Sequence, residues 1–79
     1  MSHVPHELAE EFPEHAETLH KLKTGNAHFL KLADEYHSIN REIHRIEAGV
    51  IAATDERSED LKKLRLKLKD EIGGMISQA

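Results

Sequence analysis

Two interleaved rows of apolar residues run through the middle of this chain. Leu22, Phe29, Tyr36 and Ile43 recur every seven residues, and Leu32, Ile39 and Ile46 recur three residues after members of that row. Apolar side chains alternating at spacings of three and four fall on one stripe of an α-helix and form a coiled-coil-like seam. Only Gly25 interrupts the second row. The seam predicts a long helix over about residues 13–48. Phe12-Pro13 marks its start, because proline suits the first helical position, where its missing N–H is no loss. Glu14 and Glu17 then lie at the positive end of the helix dipole. Thr24-Gly25-Asn26 is a turn-like cluster where that helix would kink or split, but the continuity of the seam favours one helix through it.

A glycine suited to a left-handed cap, Gly49, ends the first helix. Residues 49–54 form a short connection in which Val50 to Ala53 are apolar. Thr54 is a natural N-cap for a second helix over about 55–76, with Asp55, Glu56, Glu59 and Asp60 in its first two turns. Leu61, Leu64, Leu68, Ile72 and Met75 recur at spacings of three and four and define its apolar face. Gly73-Gly74 weakens the last turn, which is expected to fray. The period-2 alternation of Leu64, Leu66 and Leu68 would also suit a strand, but the flanking spacing and the lack of β-branched residues favour helix.

Two helices joined by about six residues form an antiparallel hairpin, so the fold class is all-α. The arms are unequal: at 1.5 Å per residue the first would span roughly 50 Å and the second roughly 33 Å. Ala16, Leu19 and Leu22 would overhang the shorter arm. Leu66 would lie on its outer face. These uncovered residues predict a homo-oligomer, most simply an antiparallel dimer that completes a four-helix bundle. Residues 1–12 are a separate acidic lead-in, with His6 to Glu11 able to form a short helix.

The residues that build this pattern also resemble a known family. His20-Lys-Leu-Lys-Thr-Gly-Asn-Ala-His-Phe29, Asp34-Glu-Tyr-His37, the Ile43–Glu47 stretch and above all Leu64-Arg-Leu-Lys-Leu-Lys-Asp-Glu-Ile72 are similar to the YdcH-like family. Phe12-Pro13-Glu14 resembles the opening of its shorter members. The resemblance covers about residues 12–76 and leaves residues 1–11 outside it. It implies a bacterial helical hairpin or coiled coil of unknown function with no assigned catalytic residues. Gly25 stands where an acidic residue is usual, and Gly73-Gly74 where helix formers are usual.

Charge narrows the partners. The net charge is −4, yet it is unevenly spread. Residues 1–19 carry five acids (Glu7, Glu10, Glu11, Glu14, Glu17) and no Lys or Arg, whereas residues 62–69 carry Lys62, Lys63, Arg65, Lys67 and Lys69 and no acid. The overall balance argues against sequence-independent DNA binding. The basic stretch admits an anionic partner, such as nucleic acid or acidic headgroups, but the second helix has no aromatic residue on which bases could stack. The simpler reading is that lysine stems cover the edges of the seam. A further reading sets the acidic start of one chain against the basic helix of another.

Other chemistry is sparse. There is no cysteine, so there is neither a disulfide nor a thiol nucleophile. No apolar run reaches the length of a membrane span, and the acidic, polar start is not that of a signal peptide. A reduced, cytoplasmic setting is the default expectation. The seven histidines are His3, His6, His15, His20, His28, His37 and His44. None lies four residues from another, the spacing common in helical zinc sites. His37 and His44 share a face but are roughly 10 Å apart. His3 is a weak candidate for an amino-terminal copper or nickel site, and His15 is the histidine best placed on the extended seam. Solvent-facing histidines on a polar helix are the simpler reading. The carboxylate pairs Glu10-Glu11, Asp34-Glu35, Asp55-Glu56, Glu59-Asp60 and Asp70-Glu71 lack the pocket that acid–base chemistry needs, and Glu17 with Lys21 reads as a surface pair. No cofactor is expected. The sequence therefore points to a non-catalytic interaction or oligomerisation module, with anionic binding through Lys62–Lys69 as the alternative.

Overall fold

The computed structural model describes residues 5–79. His3, weighed above as a metal ligand, lies outside them. The described chain contains four α-helices: α1 (Leu8–Glu11), α2 (Ala16–Gly25), α3 (Ala27–Glu47) and α4 (Asp55–Gln78), with a single 3-10 turn at Pro13–His15 between α1 and α2. No strand occurs among the described residues. The alternation around Leu66 is thus part of a helix.

The helix expected over residues 13–48 is broken at Asn26. Its backbone is extended there (φ −139°, ψ 106°), and its side-chain Oδ1 accepts the N–H of Phe29 at 3.0 Å. Asn26 also closes α2 by donating its own N–H to Leu22 O at 2.9 Å. Thr24 turns its hydroxyl back onto the carbonyls of His20 and Lys21. Gly25 and Asn26 are poor helix residues, and asparagine is among the best N-caps, so ending one helix and starting another costs little here. The break shortens the molecule to 38 Å along its longest axis, well under the roughly 50 Å of an unbroken first helix.

α3 and α4 form the antiparallel hairpin. α3 ends in a Schellman arrangement: Gly49 has φ +77°, Val50 N–H reaches Arg45 O at 2.9 Å, and Gly49 N–H reaches Ile46 O at 3.1 Å. Thr54 Oγ1 accepts the N–H of Arg57 at 3.1 Å and opens α4. α4 continues to Gln78 rather than fraying at Gly73-Gly74, because Ile72 and Ile76 are both anchored in the core.

That core joins all the helices. Leu8 of α1, Leu19 of α2, Phe29, Leu32 and Tyr36 of α3, and Leu68 and Ile72 of α4 form one buried cluster, with Phe12, Leu22, Ile39 and Met75 packed against it. Ile43 and Leu61 are buried nearer the loop, and Ile46 is half-buried. Leu19 is only 4% exposed. The overhang expected at Leu19 and Leu22 is therefore filled by the chain itself, as α2 folds back at Asn26 and residues 5–12 return across the hairpin. The argument for a dimer at that end loses its premise. His15, expected on an extended seam, is exposed because the seam stops short of it.

The register of α4 also differs in one place. Leu64, expected on the seam, is 42% exposed. The face that packs runs through Leu61, Arg65, Leu68, Ile72 and Ile76, and Arg65 occupies a turn where a count of apolar residues finds none. Its counterpart on α3 is Asn40, which is buried to 1% exposure. The hairpin therefore contains one polar layer.

Candidate interaction surfaces

The first surface is built where residues 5–12 cross α3 and α4. Two buried side chains of α3 grip this segment by its backbone. Tyr36 Oη donates to His6 O at 2.6 Å, and Asn40 Nδ2 donates to Pro5 O at 2.8 Å. Arg65 Nη1 in turn donates to Asn40 Oδ1 at 3.0 Å, which fixes the amide with its NH2 toward Pro5. The four-residue spacing puts Tyr36 and Asn40 one turn apart on one face of α3, so they meet two consecutive carbonyls of a strap crossing the helix. His6 has a left-handed backbone, φ +63°.

Histidine–carboxylate contacts and one lysine–carboxylate ion pair line the edges of the strap. His37 Nδ1 lies 3.1 Å from Glu7 Oε2, His6 Nδ1 lies 3.0 Å from Glu11 Oε1, and Lys69 Nζ lies 3.5 Å from the same oxygen. The hydrogen bond from His6, followed by the charge of Lys69, holds the Glu11 carboxyl below the usual range against the opposing effect of burial. Burial, reinforced by the charges of Glu11 and Glu7, pushes the Tyr36 hydroxyl up to about 12, although Arg65 pulls the other way. A cleft of about 190 Å³ remains between strap and α4, bordered by His6, Tyr36, Lys62, Arg65, Leu66 and Lys69. The acidic start and the basic helix do meet, as complementary charge suggested, but within one chain.

This contact changes the reading of the basic stretch. Lys69 is paired with Glu11 and Arg65 is bonded to Asn40. Lys62, Lys63 and Lys67 are exposed. Leu66 is 59% exposed, on the outer face where the sequence put it.

The second surface is the tip of the hairpin, and sequence reasoning missed it. Ala48, Gly49, Val50, Ile51, Ala52 and Ala53 are all exposed, with Val50 at 70%. The signal lies in the apolar composition of the connection, Val50 to Ala53. Single apolar residues on a surface are ordinary, whereas a consecutive exposed run is not. Beside the tip, His37, Ser38, Arg41, Glu42, Arg45 and Ile51 border an open cleft of about 310 Å³. Glu42, on its border, pairs with Arg57 at 3.1 Å.

Among the described residues no three His, Cys, Asp or Glu side chains converge as a metal site would require. Among them, too, no helix is long and apolar enough to cross a membrane. Glu17 and Lys21 form the surface pair their spacing suggests, at 3.3 Å.

Comparison with known proteins identifies a family. The model of a family described as a protein of unknown function, DUF465, matches residues 29–76, from the start of the α3 core to the end of the α4 core. The uncharacterized protein YdcH of Escherichia coli (strain K12) is 31% identical over 67 residues, covering 85% of this chain and 90% of that protein. The YdcH of Shigella flexneri matches to the same extent. No solved structure matches the chain. With over half its length matched by the family model and most of it aligned to YdcH, the chain belongs to the DUF465 family.

Proposed function

We propose that this chain is a small, non-catalytic interaction module that engages a protein partner through the apolar tip of its hairpin. The observation that carries the reading is the exposed run Ala48–Ala53 on a protein whose net charge is −4. Burying Val50 and Ile51 against a partner removes apolar surface from water, at roughly 25 cal/mol per Å² before the costs of association. Arg41 and Arg45 at the neighbouring cleft supply directional contacts around that apolar centre, the usual arrangement of an interface with a dry middle and polar rim.

The test compares wild type with Val50→Ser/Ile51→Ser. Absolute mass by light scattering over a concentration series is paired with photo-crosslinking from position 50 in extract of the native cell. Association, or one discrete adduct, that disappears in the double variant sustains the reading. A monomer without a discrete adduct removes it.

A second reading, binding of an anionic surface, is supported by the exposure of Lys62, Lys63 and Lys67. It predicts binding to nucleic acid or acidic vesicles that weakens steeply with added salt. With Lys69 and Arg65 engaged inside the chain, three exposed lysines are a smaller footprint than the five in the sequence.

A further inference from the structure

We propose that the groove holding residues 5–12 also accepts the same segment from a second copy of this chain, so that the N-terminal strap is an exchangeable element. The inference concerns a surface separate from the tip.

The groove has the features of a peptide-docking site. Tyr36 and Asn40, each 1% exposed, read two backbone carbonyls, those of His6 and Pro5. Leu8 enters the core cluster, and the Phe12 ring lies where a Cβ on Gly73 would be 3.6 Å away. Glu7 meets His37, and Glu11 meets Lys69. Every one of these contacts is identical whether the strap comes from the same chain or from a neighbour. The acidic strap and cationic groove also attract each other between molecules.

The hinge sets the cost of exchange, and it is small. Pro13, Glu14, His15 and Ala16 are all exposed, and no buried residue lies in the 3-10 turn. Phe12, preceding a proline, is already biased away from helix. Opening this turn therefore sacrifices few contacts, which is the condition under which identical elements swap between protomers. α1 has four residues, too few to hold its shape off the groove.

The chain has no cysteine, so introduced thiols report without background. Glu11→Cys and Lys69→Cys replace two partly exposed side chains and leave the core intact. The two single variants, one isotopically labelled, are mixed at high concentration, treated with a flexible bis-maleimide that spans the reach of the Glu11–Lys69 side-chain pair, and resolved by mass spectrometry. Strap exchange predicts a mixed crosslinked dimer in several-fold greater yield than from Glu11→Cys mixed with Lys31→Cys, where the second thiol is on exposed α3 surface. The double variant Glu11→Cys/Lys69→Cys, treated when dilute, is expected to crosslink within one chain. Equal yields in the two mixtures, with crosslinking within the dilute double variant, would make the strap a fixed part of its own chain and overturn the proposal. Absence of any crosslink within the double variant overturns it as well. The tip is tested at Val50 and Ile51, so failure of one reading leaves the other standing.

Discussion

Buried Asn40 and half-buried Arg65 form a polar contact across an otherwise apolar hairpin: the guanidinium Nη1 donates to the amide Oδ1 at 3.0 Å. The amide then presents its NH2 to Pro5 O. One side chain thus ties together α3, α4 and the N-terminal strap.

Replacing Asn40 with Leu should be costly. It strands Arg65 in the packed face and leaves Pro5 O without its donor. The loss of a buried partner costs about 1–3 kcal/mol. Asn40→Leu combined with Arg65→Leu should recover part of it, because removing both partners avoids the unpaired charge. Urea unfolding followed by helical circular dichroism measures the cycle; additive losses would show that the two residues are not coupled.

Tyr36 is the only tyrosine, so its ionisation can be followed without ambiguity by phenolate absorbance. Its hydroxyl should titrate near 12 in the folded chain, against about 10 when unfolded. Because the folded value is raised, its contribution to stability is complete below the unfolded value. It is lost as pH rises between the two, when the tyrosinate can no longer donate to His6 O. Tyr36→Phe should flatten this alkaline loss and cost about 1 kcal/mol near neutrality.

Glu11 acts in the opposite direction. Its folded value is lowered, so the stability it contributes is present above the ordinary carboxylate range and declines as pH falls through the folded value. Glu11→Gln should shrink the acid-side decline. A pH series of thermal unfolding for the two proteins tests this, and identical acid limbs would discard the role assigned to Glu11.

The glycines make an opposed pair. Gly74 lies within α4 and a Cβ there meets nothing within 4 Å, so Gly74→Ala should stabilise by up to about 1 kcal/mol. Gly49 has φ +77°, and Gly49→Ala should destabilise by about 1–2 kcal/mol. Denaturant midpoints of the two variants should therefore move in opposite directions.

Local patterning carried much of the fold. The seam, the cap at Thr54 and the left-handed turn at Gly49 all lie within short stretches whose chemistry is decided by neighbours. The break at Asn26 was visible only as a weak cluster, because continuing the seam and capping a new helix are close in energy there. The return of residues 5–12 was not legible. It depends on Tyr36 and Asn40 meeting carbonyls 30 and 35 positions away, and backbone carbonyls leave no mark on a sequence. Arg65 hid the true face of α4, since a search for apolar spacing stepped from Leu61 to Leu64. The tip was overlooked for a different reason: an apolar loop becomes informative only once the core is seen to be complete without it.

The caps at the two ends of that loop have a kinetic and entropic consequence. Gly49 and Val50 are tied to the last turn of α3, and Thr54 to the first turn of α4. The loop is thereby preorganised. Under the proposed role, its apolar side chains would reach a partner with much of their backbone freedom already given up, so association would not have to order a floppy segment. Such a surface should dock close to its free shape, and changes in its affinity should fall mainly on the rate of leaving rather than the rate of arrival.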